Sequence, residues 1–330
     1  MDLKQSKLSN KEIIAAYKVI KETRKLDERL WQLNRIGKST FNISGQGAEV
    51  GQVAMAMAFN SQEDYFLPYY RDMAAVMSFG TTAKDILMGS LGKKDDPASH
   101  GRQMPNHYGD KANNVISFSS TVTTQYPLAT GIALALQVDK KPGAVLTVTG
   151  EGSTAQGDFH EALNFAGVKK LPVVFVIENN GYAISTPNDQ EFGTDDLSSR
   201  AIGYGIQGRK VDGRDFAETY LAFKEAAEFA KAGGGSTLIV MDVDRLTAHS
   251  SDDDQRVYRD KAEIEEMKEN DCILMMEEQL LDENILTIEE LQEITTSIDQ
   301  EIEQATLDAE AMPDPEASEI MTHIYETGGH

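Results

Sequence analysis

The stretches AVLTVTGEG, at residues 144–152, and PVVFVIENNGY, at residues 172–182, decide the fold of this 330-residue chain. Each begins as a short run of aliphatic and β-branched residues and ends in small or polar ones. A helical pattern at residues 159–168 separates them. A third run, STLIVMDV at residues 236–243, follows a second helical pattern at residues 216–232. Apolar runs that alternate with helices predict βαβ units, and therefore an α/β fold with a buried, mainly parallel sheet.

Helical segments lie on both sides of this predicted sheet. Ser9 and Glu12 form a capping-box pattern, which a helical apolar repeat follows up to Gly37. Thr287 and Glu290 repeat the capping-box pattern near the carboxyl end. We therefore divide the chain into an N-terminal helical segment at 1–36, an α/β domain at 37–250, and an acidic loop with a helical extension at 251–330.

The chain is acidic, with 31 Lys and Arg against 54 Asp and Glu and a formal net charge of −23. Residues 251–330 hold 25 acidic and 4 basic residues, a net of −21, so residues 1–250 are nearly neutral at −2. So few cations argue against binding to nucleic acid or to anionic membranes. The single cysteine, Cys272, excludes an internal disulfide. Because the first residues lack an apolar signal segment, we expect a cytoplasmic protein.

Residues suited to metal and phosphate chemistry follow two of the predicted strands. Gly150, Glu151 and Gly152 end one strand, and Asn180 and Tyr182 follow the next. The carboxyl ends of parallel strands meet at one end of the sheet, where helix amino termini favour anions. Carboxylate, amide and backbone oxygens suit Mg²⁺. This end of the sheet is therefore the predicted ligand site.

The same glycines allow a second interpretation, a dinucleotide site. Gly150, Gly152 and Ala155 match the relaxed fingerprint G-x-G-x-x-G/A, and Glu178 ends the next strand, where an acid that binds ribose is expected. Against this, Glu151 would face a pyrophosphate with like charge, and the Asn-Asn-Gly-Tyr sequence would have no role. An NAD-dependent dehydrogenase stays open as an alternative, as does a non-catalytic adaptor.

The pair of strand ends resembles the thiamine diphosphate motif, which runs from Gly-Asp-Gly to Asn-Asn, with Glu151 here in place of the usual Asp. Other segments come in the order found in α subunits of two-subunit 2-oxo acid dehydrogenases. These segments are PYYRD at 68–72, GRQMPNHYG at 101–109, SSTVTTQYPLATGIALA at 119–135, GDFHEALNFAG at 157–167 and AHSSDDD at 248–254. GRQMP and HSSDDD are most similar to the branched-chain (2-oxoisovalerate) type. The resemblance covers essentially the whole chain and implies the thiamine diphosphate-binding fold.

The resemblance also implies which residues bind thiamine diphosphate and Mg²⁺. They are Tyr70, Arg71, Ser120, Val122, Gly150, Glu151, Gly152, Asn180, Tyr182 and His249. Glu151, Asn180 and the backbone oxygen of Tyr182 would hold Mg²⁺. The guanidinium of Arg71 can bind two diphosphate oxygens at once. His249 is the implied catalytic residue, since its family counterpart contacts the diphosphate and donates a proton or hydrogen bond near the reacting carbon.

Several further positions carry weaker expectations. In some relatives the segment that holds Ser119, Thr121, Thr124 and Gln125 binds a structural K⁺, so these four residues form a candidate potassium site. His107 is expected to line the substrate approach, and His160 to be structural. Glu178 is expected to point away from the phosphates, and Tyr69 replaces a Gln that touches the cofactor in some relatives.

The activity implied by the resemblance is thiamine diphosphate-dependent oxidative decarboxylation of branched-chain 2-oxo acids, with transfer of the acyl unit to a lipoyl group. A pyruvate or acetoin dehydrogenase α subunit is the alternative within the family. The implied partners are a β subunit, which completes an α₂β₂ heterotetramer and supplies the acid that activates the aminopyrimidine, and a lipoyl-bearing acyltransferase.

Overall fold

The structure is a computed structural model and describes residues 2–322. Its strands are β1 Tyr65–Leu67, β2 Val145–Gly150, β3 Val173–Asn179, β4 Tyr182–Ala183, β5 Thr186–Pro187, β6 Gln207–Asp212 and β7 Thr237–Asp242. Its α-helices are α1 Asn10–Arg35, α2 Glu49–Ala56, α3 Met73–Phe79, α4 Ala83–Ser90, α5 Gln125–Asp139, α6 Gly157–Lys169, α7 Asn188–Glu191, α8 Arg200–Tyr204, α9 Phe216–Lys231, α10 Lys261–Glu269, α11 Cys272–Asp282 and α12 Ile288–Glu310. No helix among the described residues has the length and apolar character needed to span a membrane.

Five strands form one parallel sheet in the order β1-β2-β3-β7-β6. The three strands predicted from the sequence are confirmed and lie at its centre. β2 and β3 are neighbours, and their register places Gly150 opposite Glu178, so their carboxyl ends lie side by side. The sequence did not indicate β1, which has three residues, or β6, which reads QGRKVD and buries only Val211. Short or polar outer strands lack the apolar run that identifies a central strand.

The central strands are buried on both faces, because alternate side chains enter two different cores. Val173 and Phe175 pack with α5 and α6. Val174 and Val176 pack in the core that α1, α2, α3, α4 and α9 cover. Each fully buried aliphatic side chain contributes about 1.5–3 kcal/mol, so these alternating residues fix the sheet between its helices.

The outer face of α5 is apolar and uncovered. The helix reads QYPLATGIALALQVD and has no charged side chain before Asp139. Leu128, Gly131, Ala135 and Val138 are exposed and recur every three or four residues, which places them on one stripe. A soluble helix normally presents polar residues on such a face.

The N-terminal helix and the C-terminal helices pack against each other. Ser9 and Glu12 form the predicted capping box of α1, and Thr287 and Glu290 form that of α12. Ion pairs join the two helices, with Lys25 bound to Asp299 at 3.1 Å and Arg29 to Glu303 at 2.5 Å. Part of the acidic excess therefore faces cations of α1. The sequence did not indicate α10, which buries only Ile264.

Candidate active site

The carboxyl ends of β2 and β3 bring Glu151 and Asn180 into contact. Glu151 begins a 3-10 turn directly after β2, and Asn180 is the residue that follows β3. The backbone N–H of Asn180 donates to Glu151 Oε2 at 3.3 Å, and its side-chain amide donates to the same oxygen at 3.2 Å. Two of the residues predicted to hold the metal thus lie next to each other.

Two oxygens of this pair have no partner. Glu151 Oε1 and Asn180 Oδ1 are both buried, and neither accepts a hydrogen bond. A buried polar atom without a partner costs about 1–3 kcal/mol, so two neighbouring acceptors indicate a site for a ligand that is positively charged or donates hydrogen bonds. Carboxylate and amide oxygens are the hard ligands that Mg²⁺ prefers, and the donor set fits that ion.

The protonation of Glu151 suits a metal ligand. Burial raises the pKa of its carboxyl to about 7, while hydrogen bonds from backbone N–H groups and the charges of Arg71 and Arg245 act in the opposite direction. A cation would displace the proton from such a carboxyl. The described part of the chain has no group of three or more His, Cys, Asp or Glu side chains that could hold a metal. An ion here would therefore depend on one carboxylate together with amide and backbone oxygens.

The backbone oxygen of Tyr182, the third predicted metal ligand, lies beside an arginine that the sequence did not single out. Arg245 Nη1 donates to this oxygen at 3.4 Å, and Nη2 donates to the backbone oxygen of Ile184 and to the hydroxyl of Tyr258, each at 3.0 Å. Arg245 is buried. A carbonyl oxygen has two lone pairs, so Tyr182 can keep this long bond and still accept a cation.

The fold requires only one of the two glycines at the end of β2. A Cβ on Gly152 would lie 2.4 Å from the Cβ of Ala183, so β4 can pack only against a glycine there. A Cβ on Gly150 would meet the ring of Tyr69 at 3.7 Å, an ordinary contact. Close approach of a ligand stays the predicted reason for Gly150.

Polar and aromatic residues surround the guanidinium of Arg71. Arg71 is 2% exposed, and its Nη1 donates to the backbone oxygen of Ser44. Its Nη2 lies 3.5 Å from His249 Nδ1, and its Nε is buried without a partner. The ring of Tyr70 lies 5.5 Å from the guanidinium carbon and meets the His249 ring edge-on. These groups leave donors of Arg71 free for an anion.

His249 is neutral in this setting. Burial lowers its pKa to about 4, helped by the positive charges of Arg71 and Arg245 and opposed by Asp253. Its backbone N–H donates to Asp253 Oδ2 at 2.9 Å, and the hydroxyl of Tyr258 donates to the same oxygen at 2.5 Å. If Nδ1 accepts from Arg71, the ring proton lies on Nε2, which can then donate to a ligand.

A buried hydrogen-bond network holds the backbone around Arg71 in place. The hydroxyl of Tyr69 donates to Glu178 Oε2 at 2.8 Å, and Gln52 Nε2 donates to Glu178 Oε1 at 3.0 Å and to the backbone oxygen of Arg71 at 3.1 Å. Burial and the nearby Glu178 carboxyl raise the pKa of Asp72 well above its usual range. Glu178 does not line the cavity described next, so it cannot serve as the ribose-binding acid of a dinucleotide site.

A cavity of about 520 Å³ joins the two groups of residues. All ten residues predicted to bind the cofactor line it, namely Tyr70, Arg71, Ser120, Val122, Gly150, Glu151, Gly152, Asn180, Tyr182 and His249. Its volume lies within the range of about 300–1,000 Å³ that is typical of small-molecule sites. Residues scattered over the chain from Tyr70 to His249 thus meet in a single space.

The cavity also has an apolar wall. Phe41, Ile43 and Met104 line it together with His107. The His107 ring stacks on Phe118, with a centroid distance of 4.9 Å and an interplanar angle of 14°. Its Nε2 lies 2.8 Å from the hydroxyl oxygen of Ser120. His107 is therefore held beside Ser120, one of the residues predicted to bind the cofactor.

The candidate potassium residues lie next to the cavity, outside its lining. Ser119 Oγ accepts from the backbone N–H of Thr121 at 3.2 Å, and Thr124 Oγ1 donates to the backbone oxygen of Thr121 at 2.9 Å. Gln125 Nε2 donates to the backbone oxygen of Val148 at 2.7 Å, whereas its Oε1 is buried without a partner. Gln125 Oε1 is therefore a buried acceptor without a donor, which a cation could satisfy. K⁺ stays a prediction.

Two β-branched residues at the cavity have a left-handed backbone, which β-branched residues rarely adopt. Thr123 has φ 73° and Ile184 has φ 56°. Thr123 follows the cavity residue Val122 and donates its hydroxyl to the backbone oxygen of Ser153 at 2.9 Å, while Ile184 lines the cavity itself. Both segments are held in shape by their surroundings.

Sequence reasoning kept His160 out of the site and missed two buried charged residues, Arg245 and Asp27. His160, predicted to be structural, lies outside the cavity lining, with its Nδ1 2.5 Å from the hydroxyl of Tyr204. Arg245 was missed, although an arginine within the DVDRLTAHSS segment that follows a buried strand was a visible signal. Asp27 was also missed. An acid on the apolar face of α1 was the signal there.

Known proteins match this chain over most of its length. The family described as Dehydrogenase E1 component matches residues 17–318. The 2-oxoisovalerate dehydrogenase subunit alpha of Bacillus subtilis (strain 168) is 47% identical over 318 residues, which are 96% of this chain and 96% of that protein. The 2-oxoisovalerate dehydrogenase subunit alpha 1, mitochondrial, of Arabidopsis thaliana is 36% identical over 79% of this chain and 55% of that protein.

A pyruvate dehydrogenase relative matches at lower identity. The pyruvate dehydrogenase E1 component subunit alpha of Bacillus subtilis (strain 168) is 34% identical over 93% of this chain and 80% of that protein. The family match spans residues 17–318, a range that contains all the residues that line the cavity. The chain therefore belongs to the dehydrogenase E1 component family.

Proposed function

We propose that this chain is the α subunit of a branched-chain 2-oxo acid dehydrogenase, and that it binds thiamine diphosphate with Mg²⁺. The observation that carries the proposal is the pair of buried oxygens without partners, Glu151 Oε1 and Asn180 Oδ1, in the same cavity as the free Nε of Arg71. The two oxygens can accept a cation, and the Arg71 nitrogen can donate to an anion. A diphosphate that carries Mg²⁺ supplies both.

Each group in the cavity has a role in this proposal. Glu151, Asn180 and the Tyr182 carbonyl would hold the metal, and Arg71 would bind diphosphate oxygens. Bound thiamine diphosphate supplies the carbon nucleophile and the electron sink for loss of CO₂. The protein holds and orients it, and His249, neutral near pH 7, would donate from Nε2 to the diphosphate or near the reacting carbon.

Two observations support a branched-chain substrate over pyruvate or acetoin. Phe41, Ile43 and Met104 give the cavity an apolar wall that can bury a branched side chain. The relative named for 2-oxoisovalerate is 47% identical to this chain, against 34% for the one named for pyruvate. A branched aliphatic 2-oxo acid is therefore the proposed substrate.

The reaction also needs partners. The cavity lining contains two carboxylates, Glu151 and Glu191, and Glu151 is assigned to the metal. As the resemblance to the family implies, the acid that activates the aminopyrimidine would come from a β subunit in an α₂β₂ assembly. A lipoyl-bearing acyltransferase would accept the acyl unit. A cytoplasmic location stays a prediction.

The uncovered face of α5 supports a contact with the β subunit. Helix α5 begins at Gln125, three residues after the cavity residue Val122, so this face starts close to the cavity. Leu128→Lys is expected to weaken assembly of α with β, measured by mass photometry of the mixed subunits. Leu307→Lys on α12 is a matched control, because the two leucines are 51% and 53% exposed. If Leu128→Lys assembled with β as well as wild type does, the α5 face would not be the contact with the β subunit.

The function is tested with α and β purified together, thiamine diphosphate and Mg²⁺. Turnover is measured with an artificial electron acceptor and compared between 3-methyl-2-oxobutanoate, 4-methyl-2-oxopentanoate and pyruvate, which lose CO₂, and acetoin, whose C–C bond is cleaved without loss of CO₂. We expect the highest kcat/KM with the two branched substrates. A preference for pyruvate or acetoin would overturn the substrate assignment. An inert assembly with cofactor demonstrably bound would overturn the catalytic assignment.

A further inference from the structure

Asp27 is the one acid on the buried face of α1, and it is 1% exposed. Three donors of a single loop point at its carboxylate. Asn42 Nδ2 donates to Oδ1 at 3.1 Å, the hydroxyl of Ser44 donates to Oδ2 at 2.5 Å, and the backbone N–H of Gly45 donates to Oδ2 at 3.1 Å. Hydrogen bonds to an ionised acceptor are the strong ones, so Asp27 fixes the shape of residues 42–45.

This loop contacts Arg71 directly. The backbone oxygen of Ser44 accepts from Arg71 Nη1. The next residue approaches the Arg71 backbone so closely that a Cβ on Gly45 would lie 2.7 Å from the Arg71 oxygen. The loop therefore holds Nη1 of the guanidinium, and this contact fixes the direction of the unpartnered Nε.

The same loop contacts the segment that carries His249. The backbone N–H of Ser251 donates to the backbone oxygen of Asn42 at 2.8 Å. The backbone N–H of Asn42 donates to Ser251 Oγ at 3.1 Å. Ser251 lies two residues after His249, so one loop contacts both Arg71 and the segment that carries His249.

We propose that Asp27 is a positioning residue for anion binding: through residues 42–45 it sets the orientation of Arg71 and of the His249 segment. The proposal rests on the proposed function, because it takes the diphosphate as the anion. Asp27 does not line the cavity, and it acts through Ser44 and Asn42. When the anchor is lost, Arg71 must be ordered at the moment of binding, and ordering a long side chain weakens affinity about tenfold.

The test measures thiamine diphosphate affinity by calorimetry, with Mg²⁺, in the assembly of α with β. Asp27→Asn is compared with Asp64→Asn. Asp64 is the control because it is equally buried and also accepts from three donors, namely the backbone N–H groups of Asn60 and Ala144, each at 2.8 Å, and Lys231 Nζ at 2.6 Å. It does not line the cavity. We expect Asp27→Asn to weaken binding about tenfold and Asp64→Asn less than about twofold at similar loss of thermal stability.

A double-mutant cycle separates positioning from general destabilisation. If Asp27 acts through Arg71, Asp27→Asn should cost less than about threefold in an Arg71→Ala background. Undiminished affinity of Asp27→Asn, or effects that multiply fully in the cycle, would overturn the proposal. If Asp27→Asn does not fold, Ser44→Ala removes one donor to Asp27, and the same cycle applies with an expected loss of about threefold. Wild-type protein that binds no thiamine diphosphate would overturn the proposed function itself.

Discussion

The cavity has two sides that differ in what they lack. The oxygen side, formed by Glu151, Asn180 and the Tyr182 carbonyl, has acceptors without donors, whereas the arginine side, formed by Tyr70, Arg71 and His249, has a donor without an acceptor. Desolvation raises the pKa of Glu151 and lowers that of His249, so it favours the neutral form of each, whereas Arg71 stays charged. Each side is incomplete alone, and a metal bound to a diphosphate would complete both.

The largest expected effect concerns the oxygen side. Glu151→Gln keeps the shape but removes the charge that attracts a divalent cation, so thiamine diphosphate affinity in Mg²⁺ should fall by about 100-fold or more. Titration calorimetry measures this change. Glu151→Asp, which restores the residue usual in the motif, should stay within about tenfold of wild type. Equal affinity of the Gln variant and wild type would show that Glu151 holds no metal.

A smaller effect is expected on the arginine side. Arg71→Lys keeps the charge but loses the planar fork, so affinity for thiamine diphosphate should fall about 10- to 50-fold. Thiamine without phosphates is the control ligand. It should bind both proteins equally. A similar loss for both ligands would mean that Arg71 shapes the cavity without contacting the diphosphate.

The two sides should respond differently to pH. The pKa of Glu151 is raised to about 7, so protons compete with Mg²⁺ below this value, and Mg²⁺ affinity should fall up to about tenfold per pH unit. Sulfate, whose charge is constant in this range, should not bind more weakly as the pH falls, since Arg71 stays charged and His249 protonates only near its pKa of about 4. Fluorescence titration from about pH 8 to 5.5 tests both statements. Glu151→Gln should flatten the Mg²⁺ profile.

The smallest effect separates the backbone of Tyr182 from its side chain. The Tyr182 hydroxyl donates to Glu263 Oε2 at 3.1 Å, and only the backbone oxygen is assigned to the metal. Tyr182→Phe should therefore change cofactor affinity less than about twofold. Calorimetry under the same conditions checks this. A tenfold loss would place the side chain in the binding site and reopen the assignment of the third ligand.

The sequence predicted the oxygen side better than the arginine side for a physical reason. Glu151 and Asn180 each follow a buried strand directly, and parallel strands bring their carboxyl ends together. Arg71 follows the short β1, which the sequence did not indicate, and His249 lies six residues after the predicted strand at 236–243, so their roles came from the resemblance to a family. The buried supports Asp27 and Arg245 depend on contacts between distant segments, which local patterns do not contain. Polar β6 and short β1 were missed because they lack an apolar run.

Thr123 and Ile184 connect the shape of the cavity to the heat resistance of the protein. Among the non-glycine residues with positive φ in the described chain, they alone are β-branched, and each such backbone costs about 1–3 kcal/mol. Selection for thermal tolerance would therefore favour Gly or Asn at both positions. Ile184 lines the cavity and Thr123 follows the lining residue Val122, so a stabilising substitution at either position would also change the backbone that shapes the site.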